Sequence, residues 1–332
     1  MITTIIIAIV LVLVSLLAAI TVVGELVIAH TYPPSGRFID VNGHRLHIVE
    51  LDARTEPAAA DPPVVLLHGA SGNLGDMRVA LGDRLAQRHR VVLLDRPGHG
   101  WSGPSPGSES PARQAAIVGK LLDRLNVERA VIVAHSFAGT IATALALDAP
   151  ERVAGLVLIA PVLHPWSTGI SWYYNAAAAP YLGPLFTWTL ALPAGVALMK
   201  PMAALVFAPQ DMPPGYTRLA SIPHILRPRN FLANARAVAG LHAFVTTQAP
   251  RYASITAPTV IITGDRDGVV SHKVHAQALA ATLPHSKLIL LDGVGHMPHH
   301  VATDTVIAAV EQVTAAARKP DLRRSVATAS AP

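Results

Sequence analysis

Three groups of side chains in this sequence could do chemistry together. Ser136 ends an apolar run, Ala130-Val131-Ile132-Val133-Ala134-His135-Ser136-Phe137-Ala138-Gly139. Asp265 and Asp267 follow another, Val260-Ile261-Ile262-Thr263-Gly264-Asp265-Arg266-Asp267. His296, His299 and His300 come after a third, in Leu291-Asp292-Gly293-Val294-Gly295-His296-Met297-Pro298-His299-His300. A hydroxyl, an imidazole and a carboxylate are the parts of an activated nucleophile: the imidazole takes the hydroxyl proton and the carboxylate holds the imidazole. Ser136 could instead simply cap the helix that follows it. The histidine cluster raises the alternative of a metal, but the sequence around it shows no further ligand at suitable spacing, and Pro298 interrupts any helical one. His135 reads as a packing residue. The chain has no cysteine, so thiol nucleophiles, disulfides and zinc–thiolate sites are excluded.

These residues need a scaffold. Short Val/Ile/Leu runs alternate with longer helical patterns, the mark of a parallel sheet whose strands are buried on both faces. Strands are expected at Phe38–Val41, Arg45–Leu51, Val64–Leu67, Val91–Leu94, Ala130–Ala134, Gly155–Ile159, Thr259–Thr263 and Lys287–Leu291. Helices are expected near Leu74–Arg88, Ala112–Leu125, Phe137–Leu147, His272–Leu283 and Val301–Ala317. Between Val162 and Arg251 no strand is evident and eleven prolines interrupt the chain. That stretch reads as a helical cap, residues 162–252, with short helices.

A strand running into small-x-Ser-x-small and then a helix matches the nucleophile elbow Gly-x-Ser-x-Gly, with Ala134 and Ala138 in the glycine positions. From this point the chain resembles the α/β-hydrolase fold family, over about Phe38 to Ala317. The resemblance implies an eight-stranded, mostly parallel sheet flanked by helices, and a triad in the chain order Ser, Asp, His. It places the acid at Asp267, with Asp265 fixing the turn, and the base at His296. The stretch Ile159-Ala160-Pro161-Val162-Leu163 offers no carboxylate for the acid position that some relatives use. Leu66-Leu67-His68-Gly69-Ala70-Ser71-Gly72-Asn73 resembles the family's oxyanion loop. The backbone N–H groups of Ala70 and Phe137 would then hold the oxyanion, and His68 would shape the loop. Asp95-Arg96-Pro97-Gly98-His99-Gly100-Trp101-Ser102 matches a structural signature of the family, in which Asp95 pairs with backbone N–H groups. No cofactor or metal is implied.

Ile2 to Gly24 carries no charge, and about 20 helical residues cross a hydrocarbon core. With no basic residue ahead of it and too long an apolar run, it fits an anchor better than a cleaved signal peptide or a core helix. Residues 1–29 are therefore expected to be a single transmembrane helix, joined by a linker, 30–37, to the hydrolase core at 38–161 and 253–317. The tail at 318–332 is basic and expected to be disordered. It favours a cytoplasmic-facing domain, as do Arg37 and Arg45. The chain is 51% hydrophobic and 14% charged, with net charge +5. Its cations are scattered, so nucleic acid is not an expected partner; a lipid bilayer and a small apolar acyl substrate are.

Substrate is suggested only by the cap. Pro165 to Thr217 contains two charges and nine of the chain's sixteen aromatics, enough for an apolar acyl pocket, a membrane-facing surface, or an ordinary lid core. Relatives with an aspartate nucleophile, the epoxide hydrolases and haloalkane dehalogenases, are disfavoured by Ser136. The expected activity is hydrolysis of carboxylic esters. A carbon–carbon hydrolase, a lactonase, a perhydrolase and a non-catalytic binding protein are the alternatives.

Overall fold

The structure, a computed structural model, describes residues 1–55, 61–283 and 285–318. Eight strands form one sheet: β1 (Arg37–Val41), β2 (His44–Leu51), β3 (Val64–Leu67), β4 (Val91–Leu94), β5 (Ala130–His135), β6 (Val153–Ile159), β7 (Thr259–Gly264) and β8 (Ser286–Leu291). Their order is β1-β2-β4-β3-β5-β6-β7-β8. The β1–β2 and β2–β4 pairs are antiparallel and every later pair is parallel. The principal helices are α1 (Ile2–Thr31), α2 (Pro111–Arg124), α3 (Ala138–Asp148), α4 (Leu182–Phe207), α5 (Pro228–Gln248) and α6 (Thr303–Arg318).

Alternation along each central strand divides its side chains between two cores. Val65, Leu67, Ile132, Ala134, Leu156 and Leu158 pack with α2 and α3. Val64, Leu66, Val131, Val133, Val157 and Ile159 pack with Val306, Val310 and Val313 of α6. Being buried on both faces is why these strands are unbroken Val/Ile/Leu runs. The loops after β3, β5, β7 and β8 all open at the carboxyl ends of parallel strands, where open α/β sheets place their sites.

Two expectations are corrected. The helices between β6 and β7 are not all short: α4 runs 26 residues through Pro184, Pro193 and Pro201. Pro184 lies in its first turn, and Pro193 opens a new segment after a π-turn at Thr187–Ala191. In a first turn the missing N–H of Pro184 has no partner to lose; Pro193 and Pro201 both stand inside α4, Pro193 directly after the π-helical stretch. The expected helix at Val301–Ala317 is α6, preceded by a separate short turn of helix at Pro298–Val301. The N-terminal helix continues to Thr31, past the expected end at 29, because its last turns pack on the protein. Gly24 meets Leu192 closely, and Ile28 is buried with Leu192 and Leu226. The expected tail lies outside the described residues from 319 onward.

Candidate active site

Ser136 sits at the turn from β5 into α3 with φ of 53°, in the left-handed region that non-glycine residues rarely occupy. Its backbone is held there on both sides: the Ser136 N–H donates to the Ile159 carbonyl (2.8 Å) and its carbonyl accepts from the Val162 N–H (3.2 Å). Gly139 lets α3 approach the segment that follows β6, since a Cβ there would lie 2.7 Å from Pro161 Cβ. The hydroxyl is thereby aimed clear of the sheet.

The three residues expected to act together are hydrogen-bonded in series. His296 Nε2 lies 3.1 Å from Ser136 Oγ, and His296 Nδ1 lies 2.7 Å from Asp267 Oδ2. An ionised Asp267 only accepts, so Nδ1 carries the proton and Nε2 is free to accept from the serine. The other oxygen of Asp267 accepts from the N–H groups of Val269 and Val270, both at 2.8 Å. Both side chains are almost wholly out of solvent. Asp265 does what the sequence suggested: it accepts from the Gly293 N–H (2.7 Å) and ties the β7 turn to the β8 turn. His135 does more than pack. Its Nε2 donates to the His296 carbonyl (3.0 Å), fixing the backbone of that residue.

The loop after β3 comes against the elbow. A Cβ on Gly69 would lie 3.1 Å from Ser136 Cβ and 3.0 Å from His135 Nδ1, so only glycine fits comfortably. The Gly69 carbonyl is pinned from behind by Arg96 Nη2 (3.0 Å) and His68 Nδ1 (2.9 Å). In a planar trans peptide the next N–H points the opposite way, so the Ala70 N–H faces away from those donors. Among the described residues neither the Ala70 nor the Phe137 N–H donates to a protein acceptor, although buried amides are nearly always paired.

Arg96 is a contributor the sequence did not single out. It is 1% exposed, stacks 4.5 Å over the Phe137 ring and also reaches Gln114 and His99. Burial lowers its pKa to about 9, which leaves it charged at neutral pH. Burial also pushes the His68 and His99 imidazoles down, His99 to about 3, with the Arg96 charge adding to the effect. A lone arginine inside a run of turn residues behind a buried strand was the available signal. Asp95 takes the backbone role expected of it, accepting from the N–H groups of Leu74 (2.8 Å) and Trp101 (2.9 Å).

Residues between β6 and β7 also reach the loop. Asn234 of α5 accepts from the Ser71 N–H (2.8 Å) and donates to Ser71 Oγ (3.0 Å), which lies 2.8 Å from the Tyr174 hydroxyl. No local pattern could have joined residues 163 apart in sequence. The cap aromatics fall into separate groups. Tyr173 lies against Phe231 and Phe231 against Phe186, while Phe207 stacks edge-on to Tyr216. Trp172 and Tyr181 are largely exposed.

Beneath His296 the structure supplies the carboxylate that the sequence did not reveal. Asp76, His135 and His299 bring potential metal-ligand atoms within 4.8 Å of one another. Hydrogen bonds engage most of the cluster, while His299 Nδ1 is buried without a partner among the described residues. Asp76 meets His299 Nε2 (3.1 Å), His300 Nε2 (2.8 Å) and the Tyr216 hydroxyl (2.9 Å), while His135 Nε2 is engaged with the His296 carbonyl.

Residues 62–303 match the family described as alpha/beta hydrolase fold. The chain belongs to that family. Among curated relatives, the dihydrolipoyllysine-residue acetyltransferase component of an acetoin cleaving system from Cupriavidus necator is 36% identical over 126 residues, 38% of this chain. This chain spans only 32% of that relative's length. The magnesium-chelatase 30 kDa subunit of Rhodobacter capsulatus is 31% identical, covering 74% of this chain and 84% of its own. A crystal structure of a membrane phospholipase A superposes with TM-score 0.67 over 96% of this chain and all of the other. At 20% identity that likeness is one of fold. The family match supports a hydrolase.

Proposed function

We propose that this α/β hydrolase cleaves carboxylic esters with apolar acyl groups, through an acyl-enzyme on Ser136, while held at a membrane by α1. The observation that carries the reading is the series Ser136–His296–Asp267 beside two unclaimed N–H groups, those of Ala70 and Phe137. Ser136 Oγ attacks the ester carbonyl carbon as its proton passes to His296 Nε2. The carbonyl oxygen takes up negative charge between the Ala70 and Phe137 N–H groups. Such donors act because they are aimed before the charge develops, and losing one typically slows turnover by about 10²–10³. Asp267 stabilises the imidazolium. The C–O bond then breaks and His296 returns the proton to the leaving alcohol. A water molecule repeats the sequence on the acyl-enzyme, giving up its proton through His296 and releasing the acid and Ser136.

The ester preference draws on the apolar lining that residues 165–217 can offer, and the membrane on the 30-residue apolar helix α1. Labelling by a fluorophosphonate probe, together with hydrolysis of esters of graded chain length, tests the reading. Ser136→Ala should abolish both with the fold intact. His296→Ala should lose as much as the double variant, because the members act as a unit. Near-normal turnover in Ser136→Ala would overturn the assignment.

A further inference from the structure

The exposed apolar surface of this protein is concentrated on two helices, and the two are joined. Residues 2–20 of α1 carry no charge and, apart from the half-buried Val14, Leu17 and Ala18, are exposed. They rise about 28 Å, close to the roughly 30 Å of a hydrocarbon core. The first fully buried side chain is that of Thr21. The second helix is α4, with Lys200 as its only charged residue in 26. Leu185, Leu190, Val196, Leu198, Met202 and Leu205 are each between 41% and 64% exposed. A helix that is hydrophobic nearly all round belongs in a core or in lipid. From Leu192 to Phe207 only those two terminal residues are buried.

The junction is a clamp. Leu192 of α4 packs on Gly24 and Ile28 of α1, and Glu25 pairs with Arg227 at 3.5 Å. Where α1 ends, the Tyr32 carbonyl accepts from Trp101 Nε1 (2.9 Å) and His224 Nε2 (3.1 Å). Arg227 stacks 4.6 Å over Trp101. The helix that enters hydrocarbon is therefore fixed to α4, and the two faces form one continuous surface. Although α4 is long enough to cross a bilayer, it is pinned against doing so: Leu192 is packed on Ile28 and Leu226, and Phe207 on Tyr216 and Met297.

We propose that α4 lies along the bilayer interface as a second membrane element, its apolar side in the acyl region and Lys200 reaching up to the headgroups. This rests on α1 being the anchor. Because Phe207 packs against Met297, the residue after His296, the lipid-facing helix ends beside the catalytic imidazole. An acyl substrate dissolved in the bilayer then reaches Ser136 along α4, without passing through water.

The absence of cysteine makes the test direct. Single variants Leu198→Cys, Leu205→Cys, Ile9→Cys and Glu128→Cys of the full-length chain are reconstituted in phosphatidylcholine vesicles and treated with a membrane-impermeant maleimide. Retained ester hydrolysis shows that each is folded. Thiols at Leu198 and Leu205 should react at least about tenfold more slowly than at exposed Glu128, because the thiolate that reacts is disfavoured in hydrocarbon. Ile9 should behave as they do. Fast reaction at Leu198 and Leu205 with slow reaction at Ile9 overturns the inference and leaves the anchor standing. Fast reaction at all three removes the anchor as well. Protection that disappears on dilution into excess lipid means a second copy covers α4, and also overturns it. A readout without introduced thiols comes from Trp172, exposed and near Phe186 of α4: brominated lipid should quench the native protein more than Trp172→Phe. Equal quenching counts against lipid contact.

Discussion

At the scale of single residues, the two aspartates after β7 separate cleanly. Asp267 faces His296 and Asp265 faces a backbone amide. Asp267→Asn keeps the shape but presents an amide to Nδ1, so the imidazole adopts the wrong tautomer; kcat should fall by about 10⁴ with KM little changed. Asp265→Asn should chiefly lower Tm. Steady-state kinetics on both variants decide it, and a larger kcat loss in Asp265→Asn would mean the acid is misassigned. Arg96 yields a second expectation. On the proposed mechanism, its hold on the Gly69 carbonyl makes it a positioning residue for the Ala70 N–H. Arg96→Met should lower kcat by up to about 10²–10³, the worth of one oxyanion donor, while leaving KM nearly unchanged. Measured well below the variant's Tm, an unchanged kcat would show that the loop keeps its shape without the guanidinium. Ser136, Asp267 and His296 were legible because each stands at a strand end in the family's order. Arg96, Asn234 and Tyr174 were not, because their partners come from distant parts of the chain.

At the scale of elements, every strand was legible, since strands β3 to β7 carry apolar side chains on both faces. The boundaries missed were those set by contact. Nothing in an apolar run marks where a helix begins to bury side chains on the rest of the protein, yet in α1 full burial first occurs at Thr21. Likewise, counting prolines shortened α4, because Pro184 falls in its first turn and the helix continues through Pro193, after a π-helical stretch, and through Pro201. The position of Thr21 determines how truncations should behave. Removing residues 2–20 leaves the clamp intact. Removing residues 1–29 strips Ile28 and Gly24 from Leu192 and Leu226 and deprives Arg227 of Glu25. Loss of one buried isoleucine alone is worth about 2–5 kcal/mol when truncated to alanine. The shorter truncation should melt within a few degrees of the full chain in matched detergent, and the longer one clearly below it. Equal Tm values would show that the clamp contributes nothing.

At the scale of the whole molecule, buried neutral histidines join its parts, and this gives stability a direction with pH. Burial lowers the pKa of His99 to about 3 and of His224 and His275 to about 4. Each sits at a seam. His99 meets Arg96 beneath the loop after β3, and His224 ties residues 222–226 to the end of α1. His275 Nδ1 accepts from the N–H groups of Leu163 and His164, joining the stretch after β6 to the one after β7. Protonating that nitrogen forfeits both bonds. In the unfolded chain these imidazoles take up protons near pH 6.5; in the fold they resist until about pH 4 or below. The unfolded state therefore binds more protons across that window. Their contribution to stability is complete above about pH 6.5 and is lost as pH falls towards 4, with a limiting slope of about 1.4 kcal/mol per pH unit for each group. Thermal unfolding of the full chain in detergent should show Tm at pH 5 at least about 5 °C below that at pH 7.5. His275→Asn, which cannot take up a proton, should flatten that dependence even though it lowers Tm at neutral pH. A Tm that stays level or rises between pH 7.5 and 5 would mean these seams do not carry the acid sensitivity.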